Sequence, residues 1–159
     1  MPAEVPAFEL RPAQASDREF LFALHRATMR DVIERTWGSW DEPWQRAHFE
    51  ARFAPSGISV VLVGGREAGA LWLERRKGEL YVAEIQVAPE FQGGGLGTAL
   101  MRTVMAEAAA RGVPVTLQVL KANLGARRLY DRLGFHATGE ADPHVRMRHE
   151  GGTAGARPR

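Results

Sequence analysis

Four glycines fall within five positions of this chain, in the segment 92–97, which reads QGGGLG. The segment follows an apolar stretch, Leu80–Val87, that predicts a strand, and precedes a periodic stretch from about Thr98 to Arg111 that predicts a helix. Glycine lets the backbone bend and lets a ligand approach with no Cβ in the way. The N–H groups of such a loop and of the following helical turn predict a phosphate site. The alternative is a flexible turn that happens to be rich in glycine.

Two common phosphate-binding patterns do not fit this segment. A P-loop needs a lysine directly after its glycines, and none follows here. The dinucleotide pattern G-x-G-x-x-G fails as well, because its last position falls on Thr98 or Leu100. The segment instead spells Q-x-x-G-x-G.

A single carboxylate, Glu84, interrupts the apolar strand before the glycines. It lies on the same face as Val82 and Gln86, because alternate residues of a strand share a face. Desolvation there raises the pKa of a carboxyl group, which suits proton abstraction near neutral pH, directly or through water. The alternative is an outward-facing charge or a salt bridge with Arg75 or Arg76.

The elements that position these residues follow from hydrophobic periodicity and turn signals. Residues 16–19 read as a capping box with Ser16 as N-cap and Glu19 reaching back. The predicted element order is βααβββαβαββ. A strand–helix–strand unit from Leu80 to Leu120 implies a parallel pair within a mixed sheet, so the fold class is α/β with a mixed sheet.

Length and composition indicate one domain over residues 1–150, with a disordered tail at 151–159. The absence of cysteine excludes a disulfide framework, a thiolate metal site and a cysteine nucleophile. The five histidines show no metal-ligand spacing, so no metal is expected. A net charge of +2 gives no support for nucleic-acid binding. The start of the chain is unlike a signal peptide, and no apolar run approaches roughly 18 residues, so we expect no membrane contact and a cytoplasmic location.

A second pattern lies further along the chain. Residues 123–135 fit N-x-x-A-x-x-x-Y-x-x-x-G-F. Together with Q-x-x-G-x-G, and in this order, the pattern resembles the GNAT superfamily of acetyl-CoA-dependent N-acetyltransferases. The element order agrees with that superfamily over about Phe8 to His149, and the resemblance implies a central mixed, splayed sheet flanked by helices.

The resemblance implies acetyl-CoA as co-substrate, with its pantetheine arm between the splayed strands 80–87 and 115–120. The Val87 N–H then holds the thioester carbonyl and later the oxyanion. Asn123 caps its helix and bonds the pantetheine arm. Arg127 and Arg128 reach the phosphates, although solvated helix surface is the alternative for at least one of them. The cofactor-binding residues so implied are Ile85, Val87, Gln92, Gly93, Gly94, Gly95, Leu96, Gly97, Thr98, Asn123 and Arg127.

The resemblance also assigns catalytic roles. Tyr130 is the general acid that protonates the leaving thiolate, and its alternative is a buried ring packed under the sheet. The superfamily does not use one fixed base, so Glu84 is the candidate base because of its place in the apolar strand, and it is also expected to contact the acceptor. Trp37 and Trp40 wall the acceptor site for a cationic amine with an apolar body, with a core or helix-capping position as the alternative.

The implied function is that of an N-acetyltransferase, an acyltransferase that moves an acetyl group to a primary amine of a small molecule or a peptide. Dimers are common in the superfamily, which leaves a homodimer open. One alternative is a non-catalytic acyl-CoA-binding sensor or regulatory module. A further alternative is a generic nucleotide-phosphate binder.

Overall fold

The computed structural model describes residues 7–150, and the predicted tail at 151–159 lies outside them. The strands are β1 (Glu9–Pro12), β2 (Ile58–Val63), β3 (Arg66–Arg76), β4 (Glu79–Val87), β5 (Val115–Leu120), β6 (His136–Ala141) and β7 (His144–His149). The α-helices are α1 (Arg18–Trp37), α2 (Glu42–Arg52), α3 (Leu96–Arg111) and α4 (Leu124–Arg132). Short 3-10 turns lie at Ala15–Asp17 and Pro89–Phe91. The predicted order βααβββαβαββ is confirmed.

The strands form one mixed sheet in the order β1-β2-β3-β4-β5-β7-β6. Strands β4 and β5 are parallel, with Leu80 opposite Val115 and Val82 opposite Leu117. The pairs β1–β2, β2–β3, β5–β7 and β6–β7 are antiparallel. The predicted mixed α/β fold is therefore confirmed. The splay of β4 from β5 stays a prediction.

The described chain divides into two compact units. The first comprises residues 7–72 and 84–97, and the second comprises residues 73–83 and 98–150. Strands β3 and β4 contribute residues to both. The single domain over residues 1–150 stays a prediction.

The first unit buries one apolar cluster, in which α1 supplies Leu21 and Leu24 at helical spacing. Its other buried members come from the start of the chain, from β2 and β3, and from the residue after β4: Ala13, Ile58, Val60, Ala70 and Ala88. Aromatic side chains cover it, among them Phe49 of α2 and Trp72 of β3. Burial of these apolar side chains holds α1 and α2 in place over the strands.

The second unit buries an apolar stripe of α3, which includes Leu100, Met101 and Val104. Strand β5 is buried at Val115, Leu117 and Val119, as its β-branched sequence predicts.

The predicted capping box at residues 16–19 is wrong. Ser16 is exposed within the 3-10 turn, and the box forms two residues earlier, where the Gln14 N–H donates to Asp17 Oδ2 at 2.8 Å. Arg11 donates to both Asp17 carboxylate oxygens, at 2.8 and 2.9 Å. This bidentate contact holds the Asp17 carboxylate beside β1, so Asp17 closes the turn and α1 begins at Arg18.

Helical spacing places Trp44, Ala47, His48 and Ala51 on one face of α2. Trp44, Ala47, His48 and Ala51 are exposed, whereas Gln45 is buried and Phe49 is partly buried. Trp44 sits in the first turn, stacked on the His48 ring with centroids 4.8 Å apart. The helix therefore turns a polar side chain inward, because Gln45 finds a hydrogen-bond partner on α1.

Candidate active site

The first unit contains a cavity that opens to solvent. Side chains of α1, α2, β2, β3 and β4 line it, and they fall into a polar and an apolar set. The polar set is His25, Gln45, His48, Arg52, Glu84 and Gln86. The apolar set is Leu21, Phe49, Ile58, Ala70 and Trp72. Such a mixture of apolar surface and a few converging polar groups is typical of a small-molecule site.

Glu84 of β4 lies in this cavity, with a side chain that is only partly accessible to solvent. Desolvation by the surrounding protein raises its pKa from 4.5 to about 7, against the opposing effects of the Arg52 charge and a hydrogen bond from Gln86. The carboxyl group is therefore about half ionised near neutral pH. It can gain and lose a proton under conditions in which an amine acceptor is mostly protonated.

Glu84 is neither an outward-facing charge nor the partner of Arg75 or Arg76 in a salt bridge. Arg75 pairs with Glu107, with Nε to Oε2 at 2.6 Å. Arg76 pairs with Glu74 and Glu79, each at 2.8 Å.

A chain of hydrogen bonds holds the Glu84 carboxyl group. Gln86 Nε2 lies 3.1 Å from Glu84 Oε1 and 3.3 Å from His25 Nδ1. His25 Nε2 lies 3.3 Å from Gln45 Oε1. The Gln86 amide can donate one hydrogen to each neighbour, which makes His25 Nδ1 an acceptor and places the imidazole proton on Nε2, facing Gln45. Burial lowers the pKa of His25, consistent with a neutral ring in this role.

The close approach of two strands sets the position of Gln86. A Cβ at Gly69 of β3 would lie 2.3 Å from the Gln86 carbonyl oxygen, far inside van der Waals contact. Only glycine fits there without a shift of the strand. Gly69 therefore lets the Gln86 backbone lie where its side chain meets both Glu84 and His25.

The glycine segment forms a turn between the 3-10 turn Pro89–Phe91 and α3. Gly93 and Gly95 have φ of +86° and +87°, the left-handed region that favours glycine. A Cβ at Gly93 or Gly94 would meet no atom within 4 Å, so open space lies over the loop. Gln92 Nε2 donates to the Val87 carbonyl oxygen at 2.8 Å and ties the loop to the end of β4.

The start of α3 completes this loop. The first N–H groups of a helix have no partner within it, and the first turn of α3 carries no acidic side chain. Open space, free N–H groups and the absence of a competing acid fit a phosphate group. Residues 92–98 are thus suited to hold the pyrophosphate of a CoA molecule, and this assignment stays a prediction.

Helix α4 carries the second predicted pattern. Asn123 Oδ1 accepts a hydrogen bond from the Ala126 N–H at 3.2 Å, so its capping role is confirmed. The Tyr130 ring is buried and packs on Phe135, with centroids 5.6 Å apart. Arg127 pairs with Asp131, with Nε to Oδ1 at 3.3 Å. The acid role of Tyr130, the phosphate contact of Arg127 and the pantetheine contacts of Asn123, Ile85 and Val87 stay predictions.

The tryptophans are placed differently from one another. Trp37 is 58% exposed and does not line the cavity. Trp40 donates from Nε1 to Glu42 Oε1 at 2.8 Å. Its ring packs on the ring of His25, with centroids 5.6 Å apart. His25 lines the cavity, whereas Trp40 itself does not. Trp72 of β3 lines the cavity, and the sequence reasoning missed it. The substrate-binding roles of Trp37 and Trp40 stay predictions.

Residues 7–150 contain neither a metal-binding cluster nor a membrane-crossing helix. In this part of the chain, no three His, Cys, Asp or Glu side chains come together as a metal site would require. Within the same residues, no helix combines the length and the apolar character needed to cross a bilayer.

The sequence profile of the Acetyltransferase (GNAT) family matches residues 26–135. This range includes the second half of α1, the cavity residues other than Leu21 and His25, the glycine loop and Tyr130. The chain belongs to this family. GNAT enzymes take their acyl group from acetyl-CoA, so the fit of the glycine loop to a phosphate agrees with the donor that the family uses.

Curated GNAT relatives include mycothiol acetyltransferases. The protein of that name from Streptomyces bingchenggensis is 33% identical over 138 residues, covering 84% of this chain and 37% of the relative. The one from Streptomyces griseus subsp. griseus is 37% identical over 120 residues, covering 72% and 34%. The chain thus spans about a third of the length of the curated relatives it matches.

Solved structures share the fold. The PaiA N-acetyltransferase from Thermoplasma acidophilum, in complex with coenzyme A, has a TM-score of 0.73 at 14% identity, covering 90% of this chain and 98% of that one. The ribosomal-protein-S18-alanine N-acetyltransferase from Escherichia coli has a TM-score of 0.69 at 19% identity, covering 96% and 99%.

Proposed function

We propose that this chain is an N-acetyltransferase that moves an acetyl group from acetyl-CoA to a primary amine of a small molecule or peptide. The observation that carries the proposal is Glu84, a carboxyl group with a pKa of about 7 in a cavity lined by both polar and apolar side chains, held by Gln86. A group of this kind removes a proton from an ammonium ion that enters the cavity.

The reaction needs a neutral amine, a stabilised oxyanion and a protonated leaving group, and acetyl-CoA supplies the acetyl thioester. Glu84 takes one proton from the ammonium ion, directly or through water, and later releases it to solvent. The Val87 N–H donates to the thioester oxygen while the new C–N bond forms and negative charge develops. Tyr130 protonates the thiolate as the C–S bond breaks, and recovers a proton from the nitrogen that becomes the amide.

The direct test is release of free thiol from acetyl-CoA in the presence of an amine panel. The panel contains free amino acids, short peptides, polyamines, an aminoglycoside and the acceptor of the mycothiol acetyltransferases. We expect release with at least one class, and loss of that release in Glu84→Gln. Release that is as fast without amine would indicate hydrolysis instead of transfer.

The alternatives make distinct predictions in the same experiment. A non-catalytic acyl-CoA sensor binds CoA tightly and releases no thiol with any amine. A generic nucleotide-phosphate binder is stabilised against heat by ATP or NAD and not by CoA. Either result would replace the proposed function.

A further inference from the structure

Arg52 places a cation at the cavity. It is the last residue of α2, and its side chain is exposed and lines the cavity. Its guanidinium carbon lies over the Trp72 ring, 5.2 Å from the centroid. Within residues 7–150, no carboxylate oxygen comes within salt-bridge distance of it, whereas Arg46 of the same helix pairs with Glu19 at 2.8 Å.

The aromatic contact places this charge over an indole face. A guanidinium over an indole can offer the N–H groups of its fork to a ligand. Trp72 and Arg52 both line the cavity, so the fork lies at its wall. A planar fork of donors at a partly apolar wall is suited to a carboxylate, which it can bind through two parallel hydrogen bonds.

The cavity therefore carries one acidic and one basic side chain. Glu84 provides a carboxyl group and Arg52 provides a guanidinium, and the charge of Arg52 acts on Glu84. Apolar side chains, among them Ile58, Ala70 and Trp72, line the same space. A ligand that satisfies all three features has an amine, a carboxylate and an apolar body.

We infer that the acceptor is a small amine that also carries a carboxylate, of which a free apolar α-amino acid is the simplest. Arg52 binds its carboxylate, Glu84 faces its amino group, and the apolar wall takes its side chain. This inference rests on the proposed function. It disfavours polyamines, because their second ammonium group would meet Arg52 as a like charge.

A purely structural role for Arg52 has different consequences. A cation in the last turn of a helix stabilises the helix dipole, and a guanidinium on an indole contributes packing. Both roles affect the stability of the protein and neither distinguishes one acceptor from another. Substrate discrimination is therefore the decisive measurement.

The experiment compares L-phenylalanine with L-phenylalaninamide, which differ only in the carboxylate, by thiol release from acetyl-CoA. We expect the KM of the parent protein for phenylalanine to be at least about tenfold lower than for the amide, the scale of one charge-assisted hydrogen-bonded contact. In Arg52→Gln the ratio of the two KM values should fall about tenfold relative to the parent protein. The KM for acetyl-CoA should be unchanged, whereas loss of the Arg52 charge raises the pKa of Glu84 and alters the turnover of both acceptors alike. Phenylalanine and its amide differ in the basicity of the amino group. This difference affects both proteins alike, so it cancels when the KM ratio is compared between them.

Arg66→Gln is the matched control. Arg66 is also exposed and lies over an aromatic ring, Phe91, at 5.0 Å, and it does not line the cavity. This variant should keep the preference for phenylalanine. Loss of the preference in both variants would overturn the assignment, since it would then follow net charge alone.

Failure of the inference is distinguishable from failure of the proposed function. Equal use of phenylalanine and its amide by the parent protein would overturn the carboxylate assignment and leave amine acetylation standing. If no amine releases thiol, calorimetric titration with phenylalanine still decides: binding that Arg52→Gln abolishes supports the inference, and the absence of binding to the parent protein overturns it.

Discussion

At the residue scale, the most informative group is a carboxyl group that the fold keeps partly out of water. Glu84 has a raised pKa although a guanidinium and an amide both favour its ionised form, so desolvation is the larger effect. Gln86 orients the carboxyl group, and His25 and Gln45 orient Gln86 in turn. Preorganised groups of this kind are typical of catalytic sites, where they reduce the reorganisation needed during reaction.

The first prediction concerns the pH dependence of acetyl transfer. Glu84 accepts a proton only when ionised, so the rate should rise with pH through about 7, the pKa of its carboxyl group. Glu84→Gln should remove this rise and lower the rate by about 10²-fold, the low end of general-base contributions. The measurement is the pH profile of thiol release.

Glu9→Gln is the control for that profile, because Glu9 is an exposed strand carboxylate outside the cavity. Its profile should match that of the parent protein. A rise through pH 7 that persists in Glu84→Gln would assign the base to another group.

The second prediction concerns Tyr130. Tyr130→Phe removes only the hydroxyl group and keeps the ring that packs on Phe135, so folding and acetyl-CoA affinity should be nearly unchanged. If Tyr130 protonates the thiolate, kcat should fall by about 10²-fold. Tyr81→Phe changes the other tyrosine of the chain and should retain its rate. An unchanged kcat in Tyr130→Phe would remove the acid assignment.

At the element scale, the turn between β4 and α3 joins the strand that carries Glu84 to the start of a helix. Gln92 donates to the Val87 carbonyl group and so holds the turn against the end of β4. In the proposed function, the Val87 N–H binds the thioester oxygen and the N–H groups of residues 92–98 bind the pyrophosphate. Both contacts come from the main chain, so the proposal needs no side chain at the centre of this turn.

The third prediction tests this turn. Gly95→Leu should abolish acetyl-CoA binding, because a side chain at a φ of +87° strains the loop and occupies the space over it. Gly65→Leu carries a comparable strain, at a φ of +79° in the β2–β3 hairpin, and should bind acetyl-CoA normally. Calorimetric titration measures both. Full binding by Gly95→Leu would place the phosphates elsewhere.

At the scale of the whole molecule, the raised pKa of Glu84 affects stability. Between pH 4.5 and about 7 the folded chain keeps a proton on Glu84 that the unfolded chain releases. The free energy of unfolding contributed by this group is therefore present at low pH and is lost as the pH rises through about 7. A carboxyl group desolvated in this way destabilises the fold above about pH 7.

The fourth prediction follows from this pH dependence of the free energy of unfolding. Glu84→Gln should have a higher free energy of unfolding than the parent protein at pH 8, and the difference should shrink towards pH 4.5. Urea denaturation at pH 5 and pH 8 measures it, and the comparison of two variants cancels the contributions of all other titrating groups. A difference that does not change with pH would contradict the raised pKa.

What the sequence by itself determined is mostly local. The bounds of β2 and β5, the Asn123 cap and the turn at 92–97 all follow from residues close together along the chain. Side-chain caps, glycine conformations and the two-residue period of a strand need no knowledge of the rest of the fold. The same local logic erred at Ser16, because a side chain of β1, Arg11, competes for Asp17.

The composition of the cavity was decided only by the tertiary structure. The sequence placed Glu84 on one face with Gln86, but could not show that α2 turns Gln45 and Arg52 towards that face. Periodicity alone did not show which face of α2 is buried. Trp44, its largest apolar residue, is exposed in the first turn, while a buried glutamine is stabilised by a histidine 20 residues earlier. Likewise, the local sequence could not show that Trp72, and not Trp37, lines the cavity. Burial and pKa depend on which distant segments exclude water from a side chain, and that is a property of packing in three dimensions.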